Sequence, residues 1–316
     1  MAASCGIRSM SQQNSTGLRH FALLFSEREG SSAMIDSLGR HPQIVVPFFE
    51  SLDHYIIREK VPEAQWPALP AVIGRVLRSG RYASSYFAEA GAEPDEAPTN
   101  RHVAFKWRPW GDASRIGPVL AQHGAGAYLL MRRSMLNWCL SLYFTNHVAK
   151  QLTDIEIHRH PQFQITSMSA EEREAFLQRL RSEVFSVEPE RLAGVMRHAL
   201  ETKRAQVAFL ATLGEAGVPV QVVFYEDYLA DGLGFLGRLI APLGLSIADP
   251  MRHCKFQKVS REDMTQQVSN LKAVLASATV QGLLREWEAL CDAACAEARA
   301  SNLPPPPSTT GASAFA

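Results

Sequence analysis

Long apolar runs are missing from this sequence, and so is the beginning of a secretory signal. No stretch approaches the roughly 20 apolar residues that a helix needs to cross a bilayer. The first twenty residues are rich in Ser and Gln and lack the apolar core of about 7–15 residues that a signal peptide has. We therefore expect a cytoplasmic protein without a membrane span.

Paired cysteines and metal-binding motifs are also scarce. The five cysteines are scattered along the chain, and none forms a CxxC pair. Cys291 and Cys295 stand four residues apart, but no second pair of ligands at metal spacing accompanies them. The pattern favours buried thiols in a reducing compartment and predicts no bound metal.

The chain has no excess charge of either sign, because 32 basic and 32 acidic side chains give a formal net charge of zero. A protein that holds nucleic acid by neutralising phosphates usually carries a basic excess, so we expect no nucleic-acid partner. The balance concerns the whole chain and still allows a small positive pocket.

What the sequence does contain is one long patterned region between two polar ends. Residues 1–19 predict a flexible N-terminal segment. Residues 298–316 include four consecutive prolines and predict a disordered tail rich in Pro, Ser and Thr. Residues 20–297 predict one compact domain.

Short apolar runs alternate with helical patterns inside this domain. The predicted strands are His20–Ser26, His102–Trp107, Ala127–Met131 and Val218–Tyr225. The predicted helices are Ser31–Gly39, Leu136–Val148, Ser169–Arg181, Glu190–Leu213 and Leu271–Ala294. Strand followed by helix, repeated, predicts an α/β fold in three layers, with a central parallel sheet flanked by helices. Ligands of such sheets bind beyond the carboxyl ends of the strands.

Two groups of residues that could bind anions follow predicted strands. The segment Ser26–Ser32 (SEREGSS) has a glycine, two hydroxyls and an arginine before a helix, which suits a phosphate but also suits a plain strand–helix turn. Arg132 and Arg133 follow another strand, and Ser141 comes eight residues after Arg133. Arginines there suit bidentate phosphate recognition, although solvated surface arginines would give the same pattern.

Taken together, these segments resemble the sulfotransferase family, which uses 3′-phosphoadenosine 5′-phosphosulfate as sulfuryl donor. Phe21–Ser32 looks like its 5′-phosphosulfate loop, and Tyr128–Tyr143 looks like its 3′-phosphate element. Val222–Leu229, Leu236–Leu245 and Lys258–Leu275 are similar to later segments of the family. The resemblance covers about residues 20 to 285 and implies a P-loop-like fold, a cytoplasmic nucleotide-binding transferase and no metal.

The resemblance also implies roles for individual residues. The 5′-phosphosulfate would be held by Arg28, Gly30, Ser31 and Ser32. The 3′-phosphate would be held by Arg133 and Ser141, with Arg132 as the alternative register and Lys258 on the same side. Glu29 departs from the family pattern, and either turns outward to pair with Arg28 or weakens donor binding.

Catalytic roles are implied in the same way. Lys106 matches the strand-end lysine that neutralises charge on the transferring group, although a lysine reaching to solvent at a sheet edge would look the same. Arg108 stands where one branch has a histidine base, and arginine is no general base at neutral pH. Another branch uses a glutamate after His-Pro, which here is Glu50, with His54 as the substitute.

The acceptor is the least specified part of this hypothesis. We expect a hydroxyl or amine of a small molecule or glycan, met by the aromatic and acidic stretch Arg78–Asn100. Tyr82, Tyr86 and Phe87 could stack on a ring or sugar, or pack on the core.

The alternatives to a sulfotransferase are a P-loop-like kinase, which the missing GxxxxGK[ST] disfavours, and a non-catalytic binding protein on the same fold. The sequence does not decide between a monomer and a homodimer.

Overall fold

A computed structural model describes residues 17–47, 52–90, 98–148, 168–253 and 263–300 of the chain. Its centre is one parallel sheet of five strands in the order β2-β3-β1-β4-β5. The strands are β1 (His20–Leu24), β2 (Ile44–Val45), β3 (His102–Trp107), β4 (Ala125–Met131) and β5 (Val220–Phe224). The predicted α/β fold with a central parallel sheet is therefore confirmed.

The predicted strands agree with the structure because they are continuous apolar runs. Every residue of β1 and of β4 is buried, as expected for strands covered by helices on both faces. β3 has the predicted limits, β1 ends two residues earlier and β4 begins two residues earlier than predicted, and β5 is shorter by two residues at its start and one at its end. β2 was not predicted, since two residues carry no recognisable period.

The described residues also form eleven α-helices. They are α1 (Ser31–Gly39), α2 (His54–Lys60), α3 (Leu69–Ser79), α4 (Ala113–Gln122), α5 (Met135–Tyr143), α6 (Ala170–Ser182), α7 (Pro189–Glu215), α8 (Tyr225–Ala230), α9 (Gly232–Ile240), α10 (Leu271–Ala276) and α11 (Ala278–Ala300). Shorter 3₁₀ turns and one π-helical turn, Phe144–Val148, complete the connections. No helix in these ranges is both long and apolar enough to span a membrane.

Local signals account for several helix limits. Ser169 and Glu172 form the capping box that the sequence predicts at the start of α6, each side chain bonding the other's backbone N–H. The predicted helix Leu271–Ala294 is divided, because Ser277 has an extended backbone between α10 and α11. Its apolar stripe continues across the break, which is why the sequence pattern did not reveal it.

Two apolar cores lie on opposite faces of the sheet. Alternate residues of β1 point to different faces, so Ala22 and Leu24 join one core and Phe21 and Leu23 join the other. The first core packs against α3, α4, α5, α7 and α11, and the second against α1 and α9. This is the three-layer arrangement that the strand–helix alternation predicts.

The register of the sheet brings the ends of the central strands together. Leu24 is aligned with Trp107 of β3 and with Leu129 of β4, and Met131 is aligned with Phe224 of β5. The segments that follow these four strands therefore leave the sheet on the same side, where the carboxyl ends of the strands lie. We call this side the carboxyl edge, and the side where the strands begin the amino edge.

Candidate functional site

The segment after β1, Ser26–Ser32, is here called the anion loop. It has two residues with positive φ, Arg28 at 62° and Gly30 at 79°. Gly30 precedes α1 without a side-chain cap, and a Cβ atom there would overlap the ring of Tyr225. Glycine is required at this position by both the backbone conformation and the closeness of that ring.

Three backbone carbonyl groups in or next to the anion loop point toward side chains of neighbouring elements. The carbonyl of Phe25 accepts from Gln206 Nε2 (2.9 Å), that of Glu27 from Trp138 Nε1 (2.8 Å) and that of Arg28 from Arg132 Nη1 (3.3 Å). The N–H of a trans peptide points opposite to its carbonyl, so the N–H groups of Arg28 and Glu29 face the other way. Such N–H groups beside a helix start can hold an anion.

Lys106 brings a cation to this loop from the middle of the sheet. It is 1% exposed, and its Nζ donates to Ser32 Oγ at 2.7 Å. The ammonium also lies 4.9 Å from the centre of the Phe25 ring. Because it is buried, Lys106 is not the solvated lysine at a sheet edge that the sequence also allowed. Ser31, next to Ser32, is buried at the start of α1.

Arg28 and Arg132 meet on the other side of the loop. Arg132 is buried, pairs with Glu226 at 3.0 Å, and lies with its guanidinium 4.4 Å from the centre of the Tyr225 ring. Burial lowers the pKa of the Arg28 guanidinium, with Tyr225 and Glu27 opposing and Arg132 adding to the effect. Arg132 therefore contacts the anion loop, and its predicted role as the alternative to Arg133 at the 3′-phosphate stays a prediction.

Arg133 and Ser141, the predicted pair for the 3′-phosphate, occupy different environments. Arg133 is 54% exposed and donates from Nη2 to both carboxylate oxygens of Asp227, at 2.9 and 3.0 Å. Ser141 is buried within α5, where its carbonyl accepts from the Thr145 hydroxyl. The described contacts do not join Arg133 to Ser141, so their shared role stays a prediction.

Two further predicted residues, Glu50 and Lys258, lie outside the described residues, and their roles also stay predictions. The substitute base His54 is described and begins α2. Its ring contacts those of Trp66 and Trp110, with centroids 5.2 and 5.6 Å apart. His54 therefore belongs to an aromatic cluster.

Arg108, which stands at the histidine position of one branch, is held by two carboxylates. It donates to Asp53, a buried residue that also caps α2, and to Glu27 of the anion loop. Burial acts to lower its pKa, but Asp53 and Glu27 outweigh burial and raise it. Arg108 is thus a permanent cation that links α2 to the loop.

A cavity of about 850 Å³ opens beside these residues. Its walls come from the segment around α2, the start of α3, the segment after β3 and one face of α7. The aromatic and charged side chains that line it are Asp53, His54, Tyr55, Glu63, Trp66, Arg108, Trp110, Asp112, Arg115 and Phe209. Gln206 lines it too, and connects the cavity to the anion loop because its Oε1 accepts from the Ser26 hydroxyl at 3.3 Å.

The predicted acceptor stretch contributes nothing to this cavity through its aromatic residues. Tyr86 and Phe87 are buried in the first core, and Tyr82 packs against it. The sequence allowed these rings either to stack on an acceptor or to pack on the core, and in the structure they pack on the core. Residues 91–97 of that stretch lie outside the described residues.

The environment of Glu29 was not predicted from the sequence. This side chain is fully buried, points away from solvent and pairs with Lys203 of α7 at 2.8 Å. The expectation that Glu29 turns outward to pair with Arg28 is therefore wrong. A signal for it existed in α7, because Lys203 and Gln206 continue the stripe of Met196, Ala199, Leu200, Leu210 and Leu213. A charged residue on an apolar stripe needs a buried partner.

Comparisons with known proteins give little further information. No protein-family model matches the chain, and no curated protein matches it at a significant level. Among solved structures, the crystal structure of a sulfotransferase from Alicyclobacillus acidocaldarius is 18% identical, with a TM-score of 0.39. The match covers 86% of this chain and 95% of that one.

Metal ligands are not gathered in the described part of the chain. Within it, no three His, Cys, Asp or Glu side chains form a group that could hold an ion. The two carboxylates that follow β5 are already paired, Glu226 with Arg132 and Asp227 with Arg133.

Proposed function

We propose that this protein is a sulfotransferase that moves the sulfuryl group of 3′-phosphoadenosine 5′-phosphosulfate to a hydroxyl or amine of a small-molecule or glycan acceptor. The observation that carries the proposal is Lys106, a buried lysine on an interior strand whose ammonium reaches Ser32 in the anion loop. A buried ammonium beside a phosphate-type loop favours an anionic group between them. The sequence resemblance gives the chemical class of that anion.

The residues of the loop fit the phosphosulfate end of this donor. The backbone N–H groups of Arg28 and Glu29 point opposite to the carbonyl groups that bind Trp138 and Arg132, and the cations of Arg28, Lys106 and Arg132 lie around the loop. Ser31 and Ser32 add hydroxyls at the start of α1. On this proposal Arg133 would exchange Asp227 for the 3′-phosphate, with Ser141 and Lys258 on that side.

The donor supplies an activated sulfuryl group, and the chain supplies position, charge and a base. Transfer breaks the bond between sulfur and the 5′-phosphate oxygen and forms one between sulfur and the acceptor atom, which loses its proton. Lys106 stabilises charge that develops on the transferring group and the leaving phosphate. Glu50 is the proposed base and takes the proton, with His54 as the substitute.

The cavity next to Arg108 is the proposed acceptor site. Its rings, among them Trp66 and Trp110, offer apolar faces to an aromatic ring or to the flat side of a sugar. The volume of about 850 Å³ accommodates a small molecule or a short glycan end. His54 lies in its wall, within the same aromatic cluster.

Calorimetric titration with 3′-phosphoadenosine 5′-phosphate tests the donor, and a screen of hydroxyl and amine acceptors with ³⁵S-labelled donor tests transfer. We expect nucleotide binding, and loss of transfer with retained binding in Glu50→Gln. His54→Gln is the matched variant for the alternative base. No nucleotide binding at high micromolar concentration would contradict the donor, and retained turnover in Glu50→Gln would move the base to another residue.

A further inference from the structure

A buried ion pair lies beneath the anion loop and joins it to α7. Lys203 Nζ is 2.8 Å from Glu29 Oε2, and both side chains are fully buried. The same ammonium donates to the carbonyl of Leu130 in β4 at 2.6 Å and to Gln206 Oε1 at 2.8 Å. Three acceptors match the three donors of an ammonium group, so its position is fully determined.

Glu29 in turn binds the backbone of the loop. Its Oε2 also accepts from the Ser26 N–H at 2.6 Å, which closes the four-residue turn Ser26–Glu29. Arg28, inside that turn, has a φ of 62°, a conformation that a non-glycine residue adopts when its surroundings hold it there. The shape of the turn therefore depends on Glu29, and the place of Glu29 depends on Lys203.

The pair also determines the charge beneath the loop. Glu29 directly precedes Gly30, so a negative charge there would oppose an anion at the start of α1 unless a cation cancelled it. Burial raises the pKa of Glu29 and lowers that of Lys203, and in each case the partner's charge opposes the effect of burial. Each group thus favours the charged form of the other.

We propose that Glu29 and Lys203 are positioning residues of the donor site, and that their charge balance sets how tightly the anion loop holds an anion. This inference rests on the proposed function, since it takes the loop as the place of the 5′-phosphosulfate. It refines the expectation that Glu29 weakens donor binding, because the cation of Lys203 offsets the negative charge of Glu29 from within the protein.

Three variants separate this role from a contribution to folding alone. Glu29→Gln keeps an acceptor for the Ser26 N–H and leaves the cation of Lys203, Lys203→Met leaves the anion of Glu29, and the double variant restores neutrality. The full chain is titrated with 3′-phosphoadenosine 5′-phosphate, and its melting temperature is measured in parallel. We expect both single variants to melt earlier, since each leaves a buried charge alone.

Nucleotide affinity should then move in opposite directions in the two single variants. A unit charge about 10 Å from an anion, at an effective dielectric constant of about 20, changes affinity on the order of tenfold. Glu29→Gln should bind more tightly by this factor, Lys203→Met more weakly, and the double variant within about threefold of the wild type. A purely structural pair would weaken binding in both, and that result would overturn the proposal.

Two further comparisons keep the outcome decisive. If Lys203→Met does not fold, the double variant is compared with Glu29→Gln, and removal of Lys203 in this background should weaken binding on the order of tenfold. A wild type that binds inorganic sulfate but no nucleotide contradicts the proposed donor only, and the affinities of the variants are then compared for sulfate. A wild type that binds neither ligand overturns both the proposed donor and the proposed role of Glu29 and Lys203.

Discussion

The two edges of the parallel sheet bury polar groups in different ways. At the amino edge, His20 begins β1, and its Nδ1 accepts a hydrogen bond from the Val103 N–H at 2.9 Å. Burial, aided by the nearby Arg19 cation, lowers the pKa of His20 to about 4. At the carboxyl edge, Glu29 follows the same strand and is buried against the cation of Lys203.

This difference separates the scaffold from the candidate site. The neutral imidazole of His20 satisfies one backbone group and adds no charge to the amino edge. The carboxyl edge keeps its charges and gives each a partner: Lys106 meets Ser32, Arg108 meets Asp53, and Arg132 meets Glu226. Buried charges are costly unless paired, so their concentration at one edge points to function there.

The largest expected effect comes from removing the cation of Lys106. Lys106→Met keeps the length and burial of the side chain but loses the ammonium beside Ser32. We expect transfer to fall by about 10²–10³-fold, the cost of losing one donor to a developing negative charge. Turnover with labelled donor measures it, and melting temperature checks the fold.

A matched control uses a lysine that belongs neither to the anion loop nor to the cavity wall. Lys272 is exposed on α10, and Lys272→Met should leave turnover unchanged. Equal turnover in Lys106→Met and Lys272→Met would show that the cation at the carboxyl edge has no part in transfer, which would remove the main support for the proposed function.

At the amino edge, the contribution of His20 to the free energy of unfolding should depend on pH. The usual pKa of histidine is 6.5, and that of His20 in the folded chain is about 4. Between these values the unfolded chain binds a proton that the folded chain does not, so stability is present above pH 6.5 and is lost as pH falls to 4. The full loss from this group is about 3 kcal/mol.

Urea unfolding at pH 7 and pH 4.5, for the wild type and His20→Gln, measures this contribution. The glutamine oxygen can accept from the Val103 N–H and does not titrate. We expect the free energy of unfolding of the wild type to fall by about 2–3 kcal/mol more than that of the variant. Parallel pH dependence in the two proteins would mean that His20 is not held neutral by burial.

How much the sequence predicts also differs between the edges. The central strands were predictable because buried strands are continuous apolar runs, and α6 because its capping box is a local pattern. β2 was not, because two residues carry no recognisable period, and the break at Ser277 was not, because the apolar stripe continues across it. Local signals therefore gave the scaffold, apart from details of length.

The candidate site was predictable only in part, because its charges are paired over long distances in sequence. The anion loop could be recognised from its glycine, hydroxyls and arginine. The partner of Glu29 could not, since Lys203 is 174 residues away and only the fold brings the two together. The cavity could not be recognised either, because α2, the segment after β3 and α7 supply its walls from distant parts of the chain. The roles of Glu50 and Lys258 remain predictions.

The smallest expected effect compares one glycine from each edge. Gly30 and Gly217 have φ values of 79° and 82°, so alanine at either position is strained and should cost about 1 kcal/mol of stability. Their surroundings differ: a Cβ at Gly30 would overlap the ring of Tyr225, whereas no described atom lies within 4 Å of a Cβ at Gly217. Gly30→Ala must therefore displace the ring that stacks on Arg132.

We accordingly expect Gly30→Ala and Gly217→Ala to lose similar stability from backbone strain, with a further loss in Gly30→Ala from the displaced ring. Only Gly30→Ala should weaken binding of 3′-phosphoadenosine 5′-phosphate, because only its ring contact adjoins the anion loop. Urea unfolding and calorimetric titration measure the two quantities. Equal nucleotide affinity in both variants would mean that the close approach of Tyr225 to Gly30 serves packing, and that the two edges differ less than their charges indicate.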